Sequence, residues 1–600
     1  MSALVKKLYS SIDSSINKSR HSYTPNKTQK RNTELSLVLV LLLTTITLLL
    51  QYIFQNFDNN RLLSWQWVMN RENILLIIPM TIAGTIFVYQ ICRLRANNTR
   101  TLFFLLAGSY LIGLLTWSLP EVMIDSARYH NYAKYIETQG FIHFLSQWGN
   151  TVSAWTDLPL TPLIYGIIFS VFGESRTAIQ IVNTLFLSGS VYVTYLTGKE
   201  LWNKNTGRHA AFLLLAIPFL HIQPSQLMVD VSAMFFVSSA ILTTIIALKR
   251  HSTDWAILAC FTIVCALLTK YSAWIMLCSL IIIPVVLSSH KITTYSYQKI
   301  DRQLILILVL TSSMLSVFYY LYQSVIFQQI SILMEYQLPA LQRWQENYIS
   351  TFFYQIHPFI TLASIFSILI AIKRKDLRFM IPAVSIFIML LMEINRARYL
   401  VIIFPMISLT AAYSISQIND QLVAKFITGN AVMAALIITL FANMNFLNNI
   451  STANIKHAGT YLNTLSEHGV AVFLLPQTAT TINPEVVLPM LDYYTDKNVY
   501  ALYDMPETIK LKTHDIETSP LRFTWEFKYY PYTEINLLEK YENPVIILVS
   551  SNISQKIPDK IIKLLSGYEF DRAFDISDKV FRFQTVISLY RYKGQKISTG

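Results

Sequence analysis

Of the chain's 600 residues 53% are hydrophobic and only 14% charged, and its mean hydropathy is +0.41. A soluble protein carries about 25% charged residues, so an ordinary soluble globular protein is excluded and the long apolar runs predict a polytopic membrane protein. The net charge of +13 does not call for nucleic acid, because the basic residues cluster in short loops between apolar runs, where they write membrane topology.

Residues 1–34 are basic and rich in Ser and Thr. They precede the apolar run Leu35–Phe54 with no small-residue cleavage site, and read as a cytoplasmic tail ahead of a signal anchor. Spans are predicted at 35–54, 74–92, 102–119, 177–197, 209–227, 231–248, 255–269, 272–289, 304–322, 356–372, 379–394, 399–417 and 424–446. Leu160–Phe172 is left out. Its thirteen residues reach about 20 Å as a helix, short of the ~30 Å hydrocarbon core, so it reads as an interfacial or re-entrant helix.

Charge supports that omission. With the N-terminus inside, the cytoplasmic loops carry Arg93, Arg95 and Arg100, then Lys199, Lys204 and Arg208, then Lys249 and Arg250, then Lys291, Lys299 and Arg302, then Lys373, Arg374, Lys375 and Arg378. The opposite loop 120–158 holds Glu121, Asp125, Glu137 and Asp157 against Arg128 and Lys134. This is the positive-inside pattern, and a full span at Leu160–Phe172 would reverse it for every later loop. Loop 120–158, the turns at Asp230 and Lys270, loop 323–355, Arg396–Arg398 and the C-terminal region then share the outer side.

After about residue 447 the pattern changes. Helical stretches at Gly459–Glu467 and Ile557–Ser566 alternate with short apolar strands at Val470–Leu475, Val545–Val549 and Val586–Arg591. That alternation reads as a small external α/β domain, 447–600, acting as a lid or an acceptor-docking module. The cysteines Cys92, Cys260, Cys265 and Cys278 all lie in or beside apolar runs, so the domain has no disulfide framework and no cysteine metal site.

Candidate chemistry gathers on the outer face. Asp125, in Glu121-Val-Met-Ile-Asp125-Ser-Ala-Arg128-Tyr129, can act as a general base toward a hydroxyl, or simply cap the helix that follows. Asp230, between two apolar runs, is either an intramembrane functional carboxylate or a helix cap. Lys270 interrupts an apolar stretch on the side where snorkelling cations are less common. Arg396 and Arg398 share that face, and arginine suits bidentate phosphate binding.

In order along the chain, these residues resemble the GT-C glycosyltransferases, the group containing protein O-mannosyltransferases and the lipid A aminoarabinose transferase. Asp125-Ser-Ala-Arg-Tyr129 is similar to their Asp-Glu-x-x-Tyr signature, and Pro162-Leu-Ile-Tyr-Gly with Val171-Phe-Gly173 to their interfacial helix. Asp230 falls at their second acidic position. Leu268-Thr-Lys-Tyr271 resembles their Leu-Thr-Lys-Gly, and Arg398-Tyr-Leu with Pro405 their Arg-Tyr-Leu…Pro span. Asp492-Tyr-Tyr494 and Leu589-Tyr-Arg591 fall in the soluble domain that closes many bacterial members. The resemblance covers about residues 102–600 and makes 35–101 an added transmembrane hairpin ahead of a catalytic core at 102–446. Ser126 stands where many members have a second carboxylate, and Leu160 or Thr161 where the aminoarabinose transferase has Lys-Pro.

The resemblance implies an α-helical membrane protein with a GT-C-like core. Its implied activity is transfer of a sugar from a polyprenyl-phosphate donor to a lipid, polysaccharide or protein of the cell envelope, at the outer face of the plasma membrane. Asp125 would be the base, with Asp230 as a second catalytic carboxylate. Lys270, Arg396 and Arg398 would hold the donor phosphate, and Glu121, Arg128 and Tyr129 would bind substrate. No cofactor is required by it, and a divalent metal is left open. The alternative from another class is a transporter or flippase of envelope lipids or glycans, for which intramembrane charges line a path; the sequence has no internal repeat. The topology predicts that reporter fusions at Asn97 and Ser252 signal the cytoplasmic side and a fusion at Ser598 the outer side. Matching signals from Asn97 and Ser598 would rule out the thirteen-span arrangement.

Overall fold

Inside a bilayer every backbone N–H and C=O needs a partner within the chain, and the apolar runs accordingly form helices. The computed structural model describes residues 27–69, 71–93, 98–289, 297–339, 346–392, 396–475, 482–502, 519, 521–527, 532, 543–575 and 585–593. Most of the predicted N-terminal tail, the Lys291 loop, Asn395 and the fusion sites Asn97 and Ser598 lie outside the described residues. Among the described residues eight helices are long and apolar enough to cross a membrane, or nine if the pair Tyr348–Gln355 and Pro358–Arg374, bent by 117°, counts as one. Burial ranks them. The Ala397–Ile415 segment is 94% buried at the centre, whereas Arg302–Gln337 is only 6% buried and turns Leu308, Val309, Val317 and Leu321 outward.

Two expectations are corrected. The stretch 209–227 is not one helix. Lys204–Leu214 ends early, and short turns follow at Pro218–His221 and Gln223–Ser225. Pro218 and Pro224 each lack an N–H and restrict the residue before them, which breaks the run. The second correction concerns loop 323–355. The helix that begins at Tyr297 continues to Ile332 through a kink at Tyr322 and adds a π turn at Leu333–Gln337. Val325, Ile326 and Gln329 face inward from this extension, an amphipathic pattern overlooked among its polar residues.

Leu160–Phe172 is a separate thirteen-residue helix with the predicted bounds. It packs on Ser126–Gln139, the helix that follows Asp125. A Cβ at Gly166 would lie 2.4 Å from Ile136, so the close approach requires glycine. Leu160 donates its N–H to the Leu268 carbonyl at 3.1 Å, which ties this helix to the Lys270 turn.

The C-terminal region forms one mixed sheet of five strands: β1 (Gly469–Leu474), β2 (Asn498–Ala501), β3 (Val545–Ser550), β4 (Tyr568–Asp575) and β5 (Val586–Tyr592), in the order β2-β1-β3-β5-β4. β1 runs parallel to β2 and β3, and β5 antiparallel to β3 and β4. β3 is buried throughout, as a central strand with an unbroken apolar run should be. The sequence reading lacked β2, which is four residues long, and β4, whose Glu569, Asp571, Arg572 and Asp575 mark a charged edge strand.

Replacing Gly166 by Leu is expected to drive the two packed helices apart at a cost of about 1–3 kcal/mol. Thermal unfolding in detergent should register this as a clear drop, and an unchanged midpoint would mean the contact is not tight.

Candidate active site

The loop 120–125 is tied to the Asp230 turn before any charge is considered. The Gln226 side chain accepts from Val122 N–H at 2.8 Å and donates to the Pro120 carbonyl at 3.0 Å. Asp125 ends that loop, and Asp230 opens the helix Asp230–Arg250, where the positive end of the helix dipole favours a carboxylate. Neither acts as a side-chain cap.

Both carboxylates turn to cations instead. Arg398 donates from Nη1 to Asp125 Oδ2 at 2.6 Å and from Nε to Asp230 Oδ2 at 2.8 Å. Lys270 Nζ donates to Asp230 Oδ1 at 2.6 Å, and Arg128 Nη1 to Asp125 Oδ1 at 2.9 Å. Arg128 continues to Asp157 with a two-pronged contact of 2.7 and 3.0 Å, and the Tyr129 hydroxyl donates to the same carboxylate at 2.9 Å. The result is a ladder of alternating charge: Lys270, Asp230, Arg398, Asp125, Arg128, Asp157. Its three cations balance its three carboxylates, which lowers the cost of burying them. Burial pushes the Asp125 carboxyl up, but Arg398, Arg128 and Arg396 outweigh burial and hold it well below the ordinary carboxylate range.

The ladder borders a cavity of about 400 Å³. Arg396, Tyr399, Trp155 and Trp274 line it, and so do Leu521 and Phe523 from beyond β2. Lys270 Nζ sits 4.2 Å from the centre of the Tyr399 ring, and the Arg128 guanidinium 4.2 Å from that of Phe523. Of the expected site residues, Asp125, Asp230, Lys270, Arg398, Arg128 and Tyr129 are brought together at or beside this cavity, with Arg396 on its wall. Glu121 is not. It is buried away from the cavity, accepts from Leu227 N–H at 3.2 Å and lies 3.6 Å from Arg176, so its contacts are those of a packing residue. Asp157 was overlooked as a site residue. Its signal was its place just before Pro159 at the entry to the helix Leu160–Phe172.

A second cluster joins the sheet domain to the membrane part. Asp492 accepts from Lys134, from His130 Nε2 at 3.4 Å and from the Tyr532 hydroxyl at 2.5 Å. His130 also lies 2.9 Å from Glu174, and Lys134 3.2 Å from it. Tyr494 accepts from Glu121 N–H at 2.5 Å, and Arg176 lies over the Tyr493 and Tyr494 rings. The Asp492-Tyr-Tyr494 motif is thus a docking element. His130, Glu174 and Asp492 bring one ligand atom each within 4.8 Å, a donor set that zinc accepts. Lys134 already bridges the two carboxylates and supplies the positive charge there, so a resident metal fits poorly. At the ladder, Arg398 likewise fills the place between Asp125 and Asp230 that a bridging ion would take.

Residues 157–319 match the family described as dolichyl-phosphate-mannose-protein mannosyltransferase. That stretch contains Asp157, the helix Leu160–Phe172, Asp230 and Lys270. ArnT from Cupriavidus metallidurans, solved with bound undecaprenyl phosphate, superposes with a TM-score of 0.51 at 11% identity over 82% of this chain and 98% of its own. The chain has the fold of the GT-C glycosyltransferases. Two other GT-C structures match less closely. AglB from Archaeoglobus fulgidus, in complex with an inhibitory peptide and a dolichol-phosphate, gives a TM-score of 0.44 at 12% identity over 74% of this chain and 69% of its own. The arabinofuranosyltransferase AftD from mycobacteria gives 0.45 at 12% identity over 83% and 40%. No curated protein sequence gives a significant match. In GT-C terms the chain is a polytopic, mainly helical membrane protein with a small sheet domain at its C-terminus.

The docking cluster sets a pH dependence. Burial lowers the affinity of His130 for a proton, but Asp492 and Glu174 outweigh it and hold the imidazole above its ordinary value of 6.5. Burial raises Asp492, and Lys134 and His130 bring it down to about 2. The His130 contribution is therefore complete below about pH 6.5 and lost as pH rises through its raised value. The Asp492 contribution is complete above about pH 4 and lost only near pH 2. Docking of the sheet domain should accordingly loosen as pH rises above about 6.5 and His130 loses its proton, seen as faster limited proteolysis after residue 447. His130→Gln should flatten that profile, and an equally steep profile in the variant would remove His130 from the switch.

Proposed function

We propose that this protein is a glycosyltransferase that moves a sugar from a polyprenyl-phosphate carrier to a hydroxyl acceptor of the cell envelope, on the outer face of the plasma membrane. The observation that carries the reading is Arg398 held between Asp125 and Asp230, in a cavity that also receives Lys270 and Arg396. A cavity with several cations, an ionised carboxylate and aromatic walls suits a phosphate, a hydroxyl and a sugar ring together. ArnT, whose fold the chain shares, is known with undecaprenyl phosphate bound, and the matched family is described by a dolichyl-phosphate-mannose donor. The thirteen-span topology and the division at residues 35, 102 and 447 belong to the same reading.

In the proposed reaction the acceptor oxygen attacks the anomeric carbon. The bond from that carbon to the phosphate oxygen breaks, and the polyprenyl phosphate leaves with the electron pair. The hydroxyl proton passes to Asp125, and a single displacement inverts the anomeric centre. Lys270, Arg396 and Arg398 stabilise charge on the departing phosphate. At rest Asp125 is a poor base, because Arg398 and Arg128 hold it ionised. A donor phosphate drawing Arg398 toward itself would weaken that grip and return proton affinity to Asp125. The base would then be activated by the arrival of the donor. Asp230 keeps Arg398 and Lys270 in place, a positioning task that its two short contacts support.

Asp125→Asn keeps the shape of the side chain but cannot take a proton. Sugar transfer in membranes holding equal amounts of protein is expected to fall by roughly 10²–10⁴-fold. Near-wild-type transfer by this variant would pass the base role to Asp230. Arg398→Lys retains one charge but cannot bridge two carboxylates, and should weaken donor use by about ten- to a hundredfold. Mass spectrometry of envelope glycans and glycoproteins with and without the protein identifies the acceptor.

A further inference from the structure

Glu346 is only 4% exposed and does not line the cavity, yet it touches the segment that carries both arginines. The Ala397 N–H, between Arg396 and Arg398, donates to Glu346 Oε2 at 2.6 Å. Ala397 is the first residue of the 3₁₀ turn Ala397–Ile403, and Arg396 ahead of it offers no side-chain cap. Its N–H is therefore one of the donors that a helical start leaves without an internal partner. Glu346 supplies the missing acceptor from another part of the chain, through a short charge-assisted bond.

Glu346 is held in turn by the loop between the first two helices. Arg61 N–H donates to its Oε1 at 3.1 Å, and Asn60 Nδ2 to its Oε2 at 3.4 Å. The loop is braced at this point by Asn60 Oδ1, which accepts from Leu62 and Leu63 N–H at 3.0 and 2.9 Å. A reciprocal contact runs the other way. Asp58, fully buried, accepts from Ser350 Oγ at 2.5 Å and Gln355 Nε2 at 3.2 Å, as well as from Trp65 N–H at 2.8 Å within its own loop. Each side of the interface thus offers one buried carboxylate to donors of the other. Arg396 belongs to the same electrostatic unit. Burial raises the Glu346 carboxyl, and the Arg396 charge works against that rise.

We propose that Glu346 is a positioning residue through which the loop 54–64 fixes the Ala397 backbone, and with it the two arginines that meet the donor phosphate. The first two helices then do more than anchor the chain, because their connecting loop forms the rear support of the phosphate site. The idea rests on the proposed function, so its test begins with that reading.

Binding of undecaprenyl phosphate to the full-length protein in detergent is measured for the wild type, Glu346→Ala, Glu346→Gln and Asn60→Ala, with thermal unfolding in parallel. Wild-type binding is expected, with Kd raised roughly tenfold or more in Glu346→Ala, since weakening one charge-assisted phosphate contact costs about ten- to a hundredfold in affinity. Glu346→Gln can still accept from Ala397 N–H, but its amide group meets the hairpin loop donor to donor. It should fall between wild type and Glu346→Ala, and Asn60→Ala should shift Kd in the same direction by a smaller factor. In a transfer assay the loss should appear in the KM for donor and leave the KM for acceptor in place, a split that general loosening would not give. If Glu346→Ala fails to fold, the Gln and Asn60 variants are read in its place. Absence of binding by the wild type overturns the proposed function and this inference with it. Wild-type binding with unchanged Kd in the folded variants overturns the positioning role alone.

Discussion

One guanidinium organises this molecule. Arg398 joins Asp125, from a loop outside the spans, to Asp230, at the head of a buried helix, with bonds of 2.6 and 2.8 Å. A carboxylate at that depth is costly unless paired, and breaking such a pair costs more than the pair itself contributes. The loop, the helix Asp230–Arg250 and the central segment Ala397–Ile415 therefore have to meet at one point. The helix Leu160–Phe172, the Lys270 turn and the Asp157 loop pack around that meeting point, and the sheet domain closes over them through Asp492 and Phe523.

The charges of the ladder were legible because a membrane makes them conspicuous. Asp125, Asp230, Lys270 and Arg398 each interrupt or border an apolar run, and an ionisable residue there requires a reason. The sequence could not reveal which carboxylates Lys270 and Arg398 meet, since these partners lie 40 to 273 residues apart along the chain. The cap reading of Asp125 was reasonable from its neighbours and fails because two arginines outcompete the helix start for its oxygens.

The overlooked residues share a physical cause. Asp157 and Glu346 stand in polar loops, where acidic residues are ordinary, and only the fold shows them buried against an arginine and a backbone N–H. The helix past Tyr322 was hidden in the same way, because its polar face made it look like loop. In the sheet domain the apolar runs of β1 and β3 and the mainly apolar β5 gave themselves away, whereas the short β2 and the charged edge strand β4 did not. Glu121, by contrast, lies apart from the cavity. It borders the same loop as Asp125 but points into packing between Arg176 and Leu227.

The alternating ladder has a further consequence if the proposed chemistry holds. A sugar-linked phosphodiester carries one negative charge, and the monoester it leaves behind carries about two. The proton released by the acceptor moves onto Asp125 and cancels one carboxylate of the ladder at the same step. The cavity then holds the same total charge before and after the sugar moves. In a poorly polarisable setting beside a bilayer, where creating net charge is expensive, such isoelectric turnover would spare the surrounding helices any need to rearrange as the bond breaks.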